Sequence, residues 1–352
     1  MMRLFIFIIL LYLIYAYGKF SKKSVFISVS GFFLLFVSGF RSKWVGADTP
    51  AYDLLYRILK TETIATISTH VEKGFLYFNK CLLFFSDNPQ ILIFVSSLII
   101  IISILISLYK YSNYLALSVF LYAIDLYFFN LSLMRQSLAL AILIWSIPFI
   151  QQRRWFWFTS LVLLASTFHH SALLFLIIYP LSTFPCTSKI VGIYLLGTLA
   201  CIEAFPLFSK IMFVLFPIYQ GYTESVWFGN AVKIASVMKI LVAASVFFFS
   251  WFTWKKLPAN LQEENQIFIN LSLLGFCIML ISIRATLLER ETMYFSFFNT
   301  ILLPNMIMQY SKQSRLILTA AVLALFALYA VITIAYRPDW SGVIPYTFFW
   351  EV

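Results

Sequence analysis

Runs of apolar residues, most of them close to twenty long, follow one another through nearly the whole sequence, separated by short polar or basic clusters. Such a run has no polar face. It predicts a helix that crosses about 30 Å of hydrocarbon rather than one lying on a soluble core. The runs place spans at Met2–Tyr17, Val25–Phe40, Ile91–Leu108, Leu115–Leu131 and Leu133–Ile150. Later spans fall at Ile190–Phe205, Ala231–Trp254, Ile267–Ile283, Thr292–Tyr310 and Leu316–Tyr336. Between the two groups, Trp155–Leu181 reads either as one long helix or as two short arms turning at the FHHS of Phe168–Ser171.

Basic residues orient the spans, because lysine and arginine collect in cytoplasmic loops. Lys19, Lys22 and Lys23 assign the first loop to the cytoplasm, and Arg153 and Arg154 do the same after the fifth span. Turning the chain at His169 and His170 also brings Lys189, Lys255, Lys256, Lys312 and Arg315 to that side. The cost is two arms of only about fourteen residues each, short of a full crossing. The expected fold is all-α: one polytopic integral membrane domain over 1–352, with about twelve transmembrane helices and both termini outside. Its large external loop, 41–90, follows the second span, a second loop covers 206–230, and 337–352 forms an external tail. The first loop carries Arg57, Lys60, Lys73 and Lys80 against the simple charge count, and FLYFNKCLLFF near its end reads as a helix lying at the interface.

Composition excludes several classes. At 62% hydrophobic and 11% charged residues, a soluble core is ruled out. The net charge of +11 is then a topology signal, and no nucleic-acid partner is expected. Cys81, Cys186, Cys201 and Cys277 have no paired spacing, and the histidines are only His70, His169 and His170. Neither a disulfide framework nor a metal site is indicated, and no cofactor is expected. Met1–Tyr17 lacks a small-residue cleavage site and reads as a retained span.

The topology gathers Arg41, Asp48, Glu72, Arg135, His169, His170, Arg284, Glu289, Arg290 and Glu291 on or near the outer face. Each has a plainer explanation. Arg41 and Arg135 can snorkel from helix ends, the histidines can sit idle in a turn, Arg290 can pair with Glu289 or Glu291, and Glu72 can be a solvated acid. Arg135, however, is flanked by apolar residues in MRQSLAL, and an ionisable residue inside a span is a functional candidate. The polar turn of Phe40–Tyr56, punctuated by Gly46 and Pro50, can aim side chains at a ligand.

These residues carry a resemblance. R41-x4-G46-x-D48-T49-x2-Y52, E72-x-G74-F75, R135-Q136-x2-L138-A139 and F168-H169-x-S171-A172 occur in this order, followed by R290-x3-Y294-F295 and a tail with P345-Y346. The ordered set resembles the EpsG family of polysaccharide polymerases, related to the Wzy-type O-antigen polymerases. By register His169 matches the family histidine, while His170 occupies a variable position. The resemblance implies an enzyme at the periplasmic face of a bacterial inner membrane. Its substrate would be an oligosaccharide on undecaprenyl diphosphate, its surroundings membrane lipid, and a separate chain-length regulator a further partner.

Transfer of a glycan from a lipid diphosphate to a sugar hydroxyl needs cations on the leaving diphosphate and a proton acceptor at the attacking hydroxyl. Arginine suits the first task through its permanently charged fork, which points to Arg135, Arg290 and Arg41. The proton acceptor is His169, Asp48 or Glu72. Tyr52, Tyr294 and Trp340 are candidates for sugar contact, as are Tyr219, Tyr222 and Trp227, although aromatic belting at the interface explains such residues equally. Two other readings stay open: another transferase or ligase of lipid-linked glycans, and a flippase or transporter of the same lipid. A flippase calls for cations at both depths of the membrane, whereas here they gather at one face.

Overall fold

The computed structural model describes residues 2–67, 71–215, 234–336 and 342–352. Among them the chain is helical: a polytopic membrane protein in which seven helices are long and apolar enough to cross a bilayer. Four further apolar helices, Ile9–Phe20, Lys23–Gly39, Trp155–Ser166 and His170–Leu181, are shorter. Twelve full-length spans are therefore not what the described residues form. The chain divides into two compact units, Met1–Leu176 with Ile307–Val352, and Ile177–Met306.

The first unit opens with α1 (Met2–Phe20), α2 (Lys23–Gly39), α3 (Thr49–Thr61), α4 (Lys73–Leu83) and α5 (Gln90–Tyr111). It continues through α6 (Leu115–Leu121), a single π-helical turn at Tyr122–Leu126, α7 (Tyr127–Ser132), α8 (Met134–Ile144), α9 (Ile147–Gln151) and α10 (Trp155–Ser166). Segment 41–90 is thus not an open loop but contains the two helices α3 and α4. α2 packs along α5, α5 along α8 and α8 along α10. The buried side of α5 mixes leucines and isoleucines with the small hydroxyls Ser96, Ser97, Ser103 and Ser107, and small residues let neighbouring backbones come close. After α10 the chain breaks at Thr167–His169 and resumes as a 3-10 segment, His170–Ile177, so the turn at FHHS is present. α18 (Lys312–Tyr336) also belongs to this unit and packs on α6.

The second unit holds α11 (Ile178–Leu181), α12 (Ser188–Leu215), α13 (Ile234–Trp254) and α14 (Ala259–Ile281), with α13 and α12 packed on α14. Asn270 Nδ2 donates to the Phe184 carbonyl at 3.1 Å, and Trp251 Nε1 donates to the Cys186 carbonyl at 2.7 Å. These bonds tie the 181–187 turn to the helices. α12 runs through Pro206 to Leu215, so residues 206–215, expected as loop, are helical. The rest of that loop, 216–230, lies outside the described residues. After α15 (Leu288–Glu291), the span expected at Thr292–Tyr310 is broken into α16 (Met293–Ser296) and α17 (Asn299–Ile307), with a turn at Phe297 and Phe298 inside the apolar run.

Candidate active site

Three side chains remote in sequence meet at one end of the first unit. Glu72 is the residue before α4, Arg135 lies in the first turn of α8, and His169 sits in the break after α10. Arg135 Nη1 donates to Glu72 Oε2. The other carboxylate oxygen, Oε1, accepts the His170 backbone N–H at 3.1 Å and lies 3.2 Å from His169 Nδ1. An ionised carboxylate can only accept, so Nδ1 carries a proton, and in the neutral imidazole Nε2 is then the nitrogen with the lone pair. Among the described residues, neither His169 Nε2 nor Arg135 Nη2 is engaged.

Local sequence explains the approach. A Cβ on Gly74 would fall 2.2 Å from Thr167 Oγ1 and 2.6 Å from the Thr167 carbonyl oxygen. Only glycine lets the first turn of α4 close on the break that carries His169. Phe75 and Phe78 then seal the cluster from below, Phe75 against Tyr52 with centroids 5.3 Å apart and Phe78 against Phe168 at 6.0 Å.

Burial separates the roles of the three. The Glu72 side chain is 5% exposed, whereas Arg135 and His169 keep 23% and 26%. Burial alone pushes a carboxyl upward, but here the His169 hydrogen bond, the Arg135 charge and backbone N–H groups win and hold Glu72 down at about 2. Glu72 is therefore a fixed anion that orients its two neighbours. It serves poorly as a proton acceptor.

Tyr52 completes the wall. Arg135 Nε donates to its hydroxyl at 3.4 Å, and the guanidinium carbon stands 5.8 Å from the ring centroid. With 6% of its surface exposed, the ring has no free face for a sugar, which corrects its expected part in glycan stacking. Burial raises the hydroxyl above its ordinary value while the Arg135 charge pulls it back, and Asp48 and Glu72 raise it further. Asp48 itself is half-buried at the N-cap of α3, one turn before Tyr52.

Arg41 is also corrected. It is 2% exposed and spends four of its five N–H groups within the protein. Nη1 donates to the Ser38 carbonyl at 2.5 Å and to Ser97 Oγ at 3.1 Å, Nη2 donates to the Leu131 carbonyl at 3.1 Å, and Nε donates to the Val45 carbonyl at 3.3 Å. Ser38 and Leu131 lie at the C-terminal ends of α2 and α7, where carbonyls lack intrahelical donors and the helix dipole is negative. Arg41 is a strut between helix ends and offers nothing to a phosphate.

In the second unit, Arg290 is exposed on the four-residue α15, while Tyr294 is 0% exposed and packs as core, so it too is no stacking platform. Its neighbour Glu289 is buried and accepts from Ser236 Oγ and from Lys239 Nζ, the latter at 2.7 Å. Sequence reasoning missed this pair, since Lys239 hides inside an apolar run. Trp340, Tyr219, Tyr222 and Trp227 lie outside the described residues. Among the described residues no three His, Cys, Asp or Glu side chains converge as a metal would require.

Sequence reasoning also missed Gln90, whose Nε2 donates to the Gly39 carbonyl at 2.8 Å and the Arg41 carbonyl at 3.1 Å. Its only sequence signal is its place directly after Pro89 at the start of α5.

No curated protein and no solved structure matches the chain. A family model does, over residues 24–348, which takes in all four elements that build the cluster. The chain accordingly belongs to the EpsG family, whose members are polysaccharide-polymerase-like membrane proteins.

Proposed function

We propose that the protein polymerises oligosaccharide repeat units, transferring the growing glycan from undecaprenyl diphosphate to a sugar hydroxyl of an incoming lipid-linked unit. The observation that carries this reading is the single Glu72 carboxylate holding Arg135 and His169 side by side with one nitrogen of each left over. His169 Nε2 takes the proton of the attacking hydroxyl as its oxygen bonds to the anomeric carbon. The bond from that carbon to the phosphate oxygen breaks, and its electron pair leaves on the diphosphate. Arg135 Nη2 faces the charge that develops there. Glu72 keeps the imidazole in the required tautomer and stabilises its cation, as a buried carboxylate does beside a catalytic histidine.

Arg290, on the second unit, is by itself a candidate phosphate contact, and Asp48 borders the acceptor side. The reaction belongs to the periplasmic face of a bacterial inner membrane, where exported lipid-linked units arrive, and a chain-length regulator is the expected protein partner. The gathering of Glu72, Arg135 and His169 at one end of the first unit favours an enzyme over a flippase.

The test is the surface-glycan ladder of a deletion strain complemented with the intact protein or with Arg135→Ala, at matched membrane abundance. Restoration of a ladder by the intact protein, and single units from the variant, supports the reading. Long chains in the uncomplemented deletion strain would overturn it.

A further inference from the structure

Residues 342–352 run back over the turn that leads into α3. Ser42 N donates to the Thr347 carbonyl at 2.9 Å, and Phe349 N donates to the Phe40 carbonyl at 3.0 Å, so Arg41 and Phe348 pair as an isolated antiparallel bridge. The hydroxyls of Ser42 and Thr347 are 2.7 Å apart, Tyr346 Oη donates to the Val37 carbonyl, and Gly46 N donates to the Gly342 carbonyl at 2.9 Å. Gly342 has a φ of +57°, and a Cβ there would fall 2.7 Å from Ala47 N. Gly46 has a φ of +101°, with its own missing Cβ only 2.3 Å from the Leu131 carbonyl oxygen. Both glycines are required where tail, turn and α7 touch.

The turn in its turn grips the junction from which Arg135 projects. Arg41 Nη2 and Thr49 Oγ1 both donate to the Leu131 carbonyl, at 3.1 and 3.2 Å, and Ala47 N donates to Ser132 Oγ at 3.1 Å. Helix α7 ends at Ser132 and α8 starts at Met134, so only the non-helical Leu133, at φ −91° and ψ 55°, joins them. The rotation at that one residue decides where Arg135 points. Locally Leu133 is held by its N–H on the Phe129 carbonyl at 2.8 Å and its carbonyl on Ser137 N at 2.9 Å, while the Leu131 carbonyl and the Ser132 hydroxyl beside it are taken by the turn.

We propose that Gly342 and Thr347 are positioning residues for Arg135: the C-terminal segment locks the 41–47 turn, and the turn sets the α7–α8 junction. The inference rests on the proposed polymerase reading. It assigns the tail a part in turnover although the tail touches neither Glu72 nor His169.

Two measurements test it in whole membranes. Ser42→Cys with Thr347→Cys joins under mild oxidation, seen as the cross-linked peptide by mass spectrometry, since the replaced oxygens are already within bonding reach. Ladder formation is then compared for the intact protein, Thr347→Ser, Thr347→Val and a chain lacking 342–352, at equal membrane abundance. Thr347→Ser retains the hydroxyl and keeps full chain formation, Thr347→Val loses several-fold, and removal of the segment loses at least tenfold. The oxidised double cysteine variant restores what its reduced form loses, which a role in folding alone would not produce at matched abundance. Normal ladders from the truncated chain, or no cross-link, overturn the proposal. Absence of a ladder with the intact protein instead overturns the polymerase reading itself.

Discussion

Arg41 and Arg135 present the same sequence prospect, an arginine at the mouth of an apolar run, and the fold puts them to opposite uses. Arg41 is enclosed and gives its donors to the carbonyls of Ser38, Val45 and Leu131, with one more to Ser97. Arg135 keeps 23% of its surface and binds one carboxylate and one phenol, leaving a nitrogen open. The difference lies in the acceptors. Neutral carbonyls at helix ends consume a guanidinium without neutralising it, which makes a joint. A buried anion with its own second partner leaves a cation aimed at whatever arrives.

The largest effect that sharpens this contrast is on turnover. Arg135→Ala lowers polymer formation by about a hundred- to a thousandfold at unchanged abundance, as loss of a donor to developing charge does. Quantified ladders from membranes of matched protein content check it, and a tenfold loss or less would place Arg135 with Arg41. Next, Arg41→Leu removes the donors that join the Ser38, Val45 and Leu131 carbonyls and Ser97 Oγ, and costs about 3 kcal/mol of stability. Its loss appears as less folded protein in detergent extracts, whereas Arg135→Ala is read as polymer made per folded protein, since it strands only the Glu72 carboxylate.

A third measurement concerns pH. Glu72 falls from an ordinary value of 4.5 to about 2 in the folded chain, so it contributes stability above about pH 4.5 that disappears as pH falls toward 2. The contribution is on the order of 2–3 kcal/mol. Thermal unfolding in detergent loses midpoint temperature through that window, and Glu72→Gln flattens the dependence. No flattening would mean that Glu72 is not the anion that ties the cluster. The smallest effect is Tyr52→Phe, which removes one long hydrogen bond and costs under about 1 kcal/mol, a few-fold in rate.

Hydropathy made the membrane class and most helix positions legible, because a lipid-facing helix must be apolar along its whole length. The break at FHHS was legible through loop charge. By contrast, the two pieces within Thr292–Tyr310 were not, since a turn between apolar helices leaves the apolar run intact. The ordered motifs supplied Glu72, Arg135 and His169, yet nothing local says that residues 63 and 97 positions from Glu72 share its carboxylate. Exposure was the least legible quantity. Arg41, Tyr52 and Tyr294 were all proposed as ligand contacts, and all are enclosed by segments remote in the sequence.

Helix α10 has 12 residues and so rises about 18 Å, well short of the roughly 30 Å of a hydrocarbon core. A bilayer can meet so short a helix by thinning beside it or by leaving it shielded within the protein. On the proposed polymerase reading, thinning there brings water toward the break that carries His169, an aqueous route by which a proton taken up by the imidazole leaves between additions.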